Sequence, residues 1–223
     1  MTSQLNLFDS GDGTLILVRH GETVGQSSIR YYGRTDIALS EHGRAQMLAV
    51  ARVLSRVSFK KVFSSPLSRA RESARLIIEH NAQRADSPLV AALEEFVEVD
   101  FGRFEGLTAE EIKLRWPNDY EVWSRLRLHD GYSYPGGESR GAFNARVSSG
   151  IERMFGLWRG EAASELRGAA LLVAHRGVIR AIVKSLVGLE PAIELGSIQA
   201  LRFDGSAWQP LALDLTCHLA SAG

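Results

Sequence analysis

Cysteine is almost absent from this chain of 223 residues: Cys217 stands alone. That excludes an internal disulfide and the clustered thiolates of structural zinc sites. No uninterrupted apolar run approaches the roughly 20 residues needed to span a bilayer. The opening MTSQLNLFDSGDG has neither a basic start nor a continuous apolar stretch, so no secretory signal is expected there. An excess of one charge is missing too, since 26 Lys and Arg balance 26 Asp and Glu. Bulk charge therefore gives no pull toward nucleic acid or a membrane surface, and any anion site has to be local. A glycine-rich phosphate loop of the P-loop type does not occur, which counts against a nucleotide-triphosphate motor. A cytoplasmic protein is expected.

Apolar residues at 45% and charged residues at 23% are those of an ordinary globular chain able to bury a core. After a loose start at residues 1–13, TLILVRH reads as a buried strand. Ser40 can cap a helix on which Met47, Val50 and Leu54 share a face, and KKVFSS (60–65) reads as a second strand. Ser65 and Pro66 then suit the cap and first position of another helix. A polar connection (80–88) leads to LVAAL, a short strand. Residues 96–137 are irregular and rich in Gly, Trp and Tyr, as expected of a covering insertion of loops and short helices. Phe143, Val147, Ile151, Phe155 and Trp158 recur at helical spacing; GAALLVAH is a buried strand, and RGVIRAIVKSLVG a helix ending near Gly188. SIQALRFDG and AWQPLALDL are expected to pair through a turn at Gly205. This order predicts an α/β fold: a single three-layer αβα sandwich over residues 14–223 with a mostly parallel, mixed sheet.

Ligands of such sheets sit at the carboxyl ends of the strands. LILVRH ends on Arg19 and His20, LLVAH on His175, and VFSSP turns into a helix whose first turn carries Arg69. If those strands are parallel neighbours, two guanidiniums, two imidazoles and a helix N-terminus meet at one edge. That set suits a compact, multiply charged anion such as phosphate. A surface turn is the plain alternative for Arg19 and His20. His42, His80, His129 and His218 have no such context and read as packing or surface residues. His20 and Glu22 as metal ligands are disfavoured by the neighbouring Arg19.

LVRHGET, SSPLSRARESA, VEVDFGRFEG, PGGES and LLVAHRGVIRA, in that order over about residues 14–187, resemble the histidine phosphatase superfamily in its phosphoglycerate-mutase-like branch. The resemblance implies that His20 is the nucleophile that becomes phosphorylated. It also implies that Arg19, Arg69 and His175 hold the phosphoryl oxygens and that Glu98 is the proton donor, ahead of Glu94 and Glu95. Gln26 stands where the family commonly has Asn, and keeps an amide that could reach phosphate. Tyr32 and Gly33 match a loop at the substrate entrance. Arg176 departs from the small residue usual after the second histidine; it either adds charge near the substrate or points to solvent. A charged His175 is expected to help spread the transition-state charge.

The implied activity is hydrolysis of a phosphomonoester through a phosphohistidine, on a small phosphorylated metabolite, with no metal and no cofactor. A phosphoglycerate mutase and a non-catalytic phosphate-ligand binding module are the alternatives. A mutase calls for paired basic residues gripping a carboxylate, whereas Arg115, Arg125 and Arg127 are scattered among aromatics in the insertion. Oligomeric state and the particular substrate are not readable from one sequence.

Overall fold

Every residue of β1 (Thr14–Arg19) is buried, because the strand lies inside a six-stranded sheet. A strand covered on both faces needs apolar side chains throughout rather than in alternation. A computed structural model describes residues 11–82, 89–159 and 166–221 of the chain. Next to β1 run β4 (Ala169–Ala174), parallel, and β5 (Ile198–Phe203), antiparallel. Beyond them lie β2 (Phe59–Ser64), β3 (Val90–Ala92) and β6 (Trp208–Leu215), giving the order β3-β2-β4-β1-β5-β6. The β3, β2, β4 and β1 strands are mutually parallel, β5 runs against them and β6 returns to their direction, so the sheet is mostly parallel and mixed.

Alternate residues of β1 enter different cores. Ile16 and Val18 pack with α1 (Glu41–Val53) and α2 (Ser68–Glu79) through Met47, Val50 and Ile77. Leu15 and Leu17 pack with α5 (Arg140–Arg159) and α6 (Arg176–Val187) through Phe143, Val147 and Ile179. Each fully buried Leu or Ile contributes about 1.5–3 kcal/mol. Two such layers hold the sheet.

Ser40 caps α1, its hydroxyl accepting from the Gly43 N–H, and Gly188 ends α6 in the left-handed conformation. The start of α2 differs from expectation. The helix begins at Ser68 with Leu67 as N-cap, so Ser65 and Pro66 lie ahead of it. The cap comes from elsewhere in the chain: Asp36 Oδ1 accepts from both the N–H and the hydroxyl of Ser68. Ser65 is left to serve the site described below. Within the covering segment, Thr108 and Glu111 form a capping box at α3 (Ala109–Arg115), and Pro117 opens α4 (Pro117–Leu126).

Of the expected loose start, residues 1–10 lie outside the described residues. Residues 11–13 are not loose. Gly13 exchanges backbone hydrogen bonds with Leu166 and Phe203, and the Asp12 carboxylate accepts from the Gly168 N–H at 2.6 Å. Most of the polar connection, residues 83–88, also falls outside the described residues. Among the described residues no helix is long and apolar enough to cross a membrane.

Candidate active site

The β1–β4 register sets Arg19 beside Ala174, so His20 and His175 leave the sheet side by side. Their ring centroids are 5.1 Å apart, with planes at 64°. On the far side of β4, Ser64 pairs with Val173, and the Ser65 N–H donates to the Val173 carbonyl at 3.0 Å. The Ser65 hydroxyl thereby lies 2.8 Å from His175 Nε2. Arg69 follows in the first turn of α2. The convergence depends on β1, β4 and β2 being parallel neighbours, and they are.

Each of these side chains is buried; His20, Arg19 and Arg69 are held by backbone carbonyls and His175 by the Ser65 hydroxyl. His20 Nδ1 is 2.7 Å from the Gly21 carbonyl. A carbonyl only accepts, so Nδ1 carries the proton and Nε2 keeps its lone pair. Burial, reinforced by Arg69 and Arg19, holds the His20 pKa well below its ordinary 6.5. The ring is neutral near pH 7.

His175 is held well below 6.5 as well, by burial first and then by Arg69, His20 and Arg19. The expectation of a charged His175 is therefore not met in the free protein. Two guanidiniums and a second ring surround it without a carboxylate contact of its own. Burial, with Arg176 next, lowers Arg19 to about 10, so it stays cationic at neutral pH.

Arg19 Nη1 donates to the Ile193 carbonyl at 2.9 Å. Arg69, fully buried, donates to the carbonyls of Thr35, Tyr32 and Gly33 at 2.8–3.2 Å. After these bonds three buried nitrogens still lack a partner: Arg19 Nε, Arg69 Nε and His175 Nδ1. Buried donors without acceptors are rare and costly in folded proteins. A bound oxyanion is the chemistry that would satisfy them.

Glu98, 5% exposed, lies across from this group. Its Oε1 accepts from the Val99 N–H at 2.9 Å and its Oε2 from the Gly177 N–H at 2.8 Å. A Cβ at position 177 would collide with the Glu98 carboxylate, so only glycine lets the first turn of α6 come this close. Glu95 is taken up by Arg153 at 2.9 Å, and Glu94 is exposed.

A cavity of about 350 Å³, suited to a small metabolite, is lined at its buried end by Arg19, His20 and Glu98. Tyr32 and Arg176 line it too; Arg176 is also exposed, so it adds charge to the cavity and faces solvent at its mouth. Gly33 does not line it. Its N–H donates to Glu105, and a Cβ there would strike the Val99 carbonyl. Arg69 and His175, both buried, are not among the cavity's lining residues.

Gln26 is a correction. It is exposed, has a φ of 61° and is no part of the lining. Its backbone carbonyl closes a turn by accepting from Ile29 and Arg30. Glu22, considered as a metal ligand, instead accepts from the Thr23 and Ser28 N–H groups and the Ser27 hydroxyl.

Three contributors were not anticipated. Arg140 and Arg180 line the cavity. The Glu105 carboxylate accepts from the N–H groups of Gly33, Arg34, Thr35 and Phe101, joining the loop that holds Arg69 to the loop that follows Glu98. The i, i+4 spacing of Arg176 and Arg180 was a usable sign, since it places both on one helical face.

A parallel-sheet edge that presents two neutral imidazoles between buried guanidiniums defines a phosphoryl-handling site. Residues 15–216 match the family model of the histidine phosphatase superfamily (branch 1), and the chain belongs to that family. It is 28% identical to phosphoserine phosphatase 1 of Hydrogenobacter thermophilus over 92% of this chain and 93% of that one. It is 32% identical to the 2,3-bisphosphoglycerate-dependent phosphoglycerate mutase 2 of Gloeobacter violaceus, over 79% of this chain and 77% of that one. Among solved structures, a putative alpha-ribazole-5'-P phosphatase from Escherichia coli superposes with a TM-score of 0.77 at 25% identity, covering 92% of this chain and 97% of that one. The relatives are phosphatases and mutases that share phosphoryl transfer.

Proposed function

We propose that this chain hydrolyses small phosphomonoesters through a phosphohistidine on His20, with residues 14–223 acting as one catalytic domain and 96–137 as its covering insertion. The observation that carries this reading is the edge-to-face pair of imidazoles, with buried nitrogens on His175, Arg19 and Arg69 left unpartnered beside it.

In the first step the lone pair on His20 Nε2 attacks phosphorus, the P–N bond forms and the P–O bond to the leaving group breaks. The leaving alkoxide takes a proton from the Glu98 carboxyl. In the second step Glu98, now a carboxylate, takes a proton from water, whose oxygen attacks phosphorus and releases His20. Phosphate leaves, and Glu98 is again protonated for the next turnover. Arg19 and Arg69 spread the charge of the transferring oxygens, each with an uncommitted Nε–H. His175 needs no charge for its part. With the Ser65 O–H donating to Nε2, the proton sits on Nδ1, which then donates to a phosphoryl oxygen.

Mutase chemistry would need water kept out while the phosphoryl group returns to its acceptor; a roomy cavity lined by exposed residues such as Arg176 favours hydrolysis. The test is turnover of p-nitrophenyl phosphate in EDTA by the wild-type chain and by His20→Ala. Release of nitrophenol that stops in the variant is expected. Equal rates in both proteins contradict the proposal.

A further inference from the structure

The cavity carries more positive charge than phosphoryl transfer uses. Besides Arg19, its lining includes Arg30, Arg127, Arg140, Arg176 and Arg180, and Glu98 is its only acidic residue. Arg30 is committed to Glu111 at 2.7 Å. Among the described residues the other four take part in no ion pair, whereas Arg44, Arg146 and Arg153 elsewhere each hold a carboxylate at 2.7–2.9 Å. Glu190, the carboxylate that Arg180 feels most, is bound to Lys184 at 2.6 Å.

Two of these four arginines are also set in place by their neighbours. Arg140 Nε donates to the Arg127 carbonyl at 3.0 Å, and its guanidinium lies over the Phe143 ring. Arg127 lies over Trp123, 5.1 Å from the ring centre. Arg180 follows Arg176 by one helical turn, about 6 Å farther from the strand edge. Its Nε is buried and has no partner. Holding four cations together with no carboxylate bonded to any of them is unfavourable in the free protein. Burial and repulsion from Arg176 and Arg140, only partly offset by Glu190 and Glu98, lower the pKa of Arg180. A second anion would relieve it.

We infer that Arg127, Arg140, Arg176 and Arg180 form a second anion subsite, so that the preferred phosphomonoester carries a carboxylate or a second phosphate on its leaving group. This rests on the hydrolase reading above and names its substrate class. Buried-end residues take the phosphoryl group, the arginine fork takes the other anion, and the aromatic wall contacts what joins them.

The test uses three matched esters. 3-Phosphoglycerate and glycerol 3-phosphate differ only in a carboxylate against a hydroxymethyl group, and glycerol 1,3-bisphosphate places a phosphate there. Measurements are made in about 0.3 M salt, where long-range steering is screened. The kcat/KM for one of the doubly anionic esters should exceed that for glycerol 3-phosphate by about tenfold, and the preferred one identifies the anion. Arg180→Gln and Arg140→Gln, on different helices, should each bring that ratio toward one. Equal kcat/KM for the three esters in the wild-type chain overturns the subsite while leaving hydrolysis standing, as does a ratio that neither variant changes. If none of the esters turns over, the same comparison is read as calorimetric Kd on the His20→Ala chain. A tenfold preference then supports the subsite although hydrolysis has failed, and equal Kd values overturn it.

Discussion

The two ends of the cavity are built differently. At the buried end, His20, Arg19 and Arg69 are placed by bonds to backbone carbonyls, and His175 by strand register and the Ser65 hydroxyl. At the solvent end, Trp123, Arg127 and Arg140 come from the covering helix α4 and the loop beyond it, and from the start of α5. They are held by ring and guanidinium contacts between side chains and by bonds from Arg127 and Arg140 to carbonyls of the cover itself. Backbone positioning is hard to change without changing the fold, and side-chain contacts can be exchanged at little cost. The buried end therefore sets the reaction, and the solvent end sets what is admitted.

The widest separation between the two ends should come from Glu98→Gln. That variant loses proton transfer to the leaving group, so kcat/KM, which reads the steps up to the phosphohistidine, is expected to fall about 10²–10⁴-fold for esters with poor leaving groups. Nitrophenolate needs little help in leaving, so kcat/KM for p-nitrophenyl phosphate should fall less, while slower water activation lowers kcat for both. Equal losses of kcat/KM for both kinds of ester would remove Glu98 as the proton donor to the leaving group.

Glu105→Gln should follow in size. An amide cannot accept four N–H bonds with both its terminal atoms, and replacing charge-assisted bonds costs about 2–3 kcal/mol. Thermal melting should show the loss. Because the same loop supplies the carbonyls that hold Arg69, kcat should fall too, by about tenfold. A less stable enzyme with unchanged kcat would separate Glu105 from Arg69.

Acid sensitivity probes the buried end through its two histidines; His218, also lowered by burial, lies elsewhere and contributes alike to wild type and variant. His20 and His175 both have folded-state pKa values lowered below 6.5, mainly by burial. Below pH 6.5 the unfolded chain takes up protons that the folded chain refuses, so stability is full above 6.5 and falls as pH drops. Tm should decline from pH 7 to pH 5, and His175→Gln should show a shallower decline than the wild type. Parallel curves would mean that His175 is not buried neutral.

The smallest effect is expected at the solvent end. Trp123→Phe keeps an aromatic ring but gives up part of its contact with Tyr31 and Arg127. Such contacts are worth about 0.5–1.5 kcal/mol, so KM should rise a few-fold with kcat nearly unchanged. A large fall in kcat would place the cover in the chemistry.

The same division explains what could be read from sequence. The strands along the chain and the residues ending them were legible because a strand buried on both faces is a continuous apolar run and the helices repeat at 3.6 residues, whereas their order across the sheet was not. His20, Arg19, Arg69, His175 and Glu98 followed from those ends and from the family resemblance. The start of α2 was misplaced because its cap, Asp36, lies 32 residues away in sequence. Gln26 was assigned by its amide, whereas the turn there uses its backbone at positive φ and turns the residue out of the lining. A charged His175 was assumed from its role, while its protonation depends on burial and two neighbouring guanidiniums that only the fold assembles. Arg140 carries no mark in sequence of which side of its helix faces a cavity, whereas the i, i+4 spacing of Arg180 from Arg176 was the one available sign.

The central claim is covalent phosphate on one ring. Rapid acid-free quenching with a phosphorus-labelled ester, followed by peptide mass analysis, reads it directly. Label that survives base, is released by acid and maps to residue 20, and is missing in His20→Ala, is the result predicted here. Steady hydrolysis with no label on that ring, or with label on His175 instead, would contradict it.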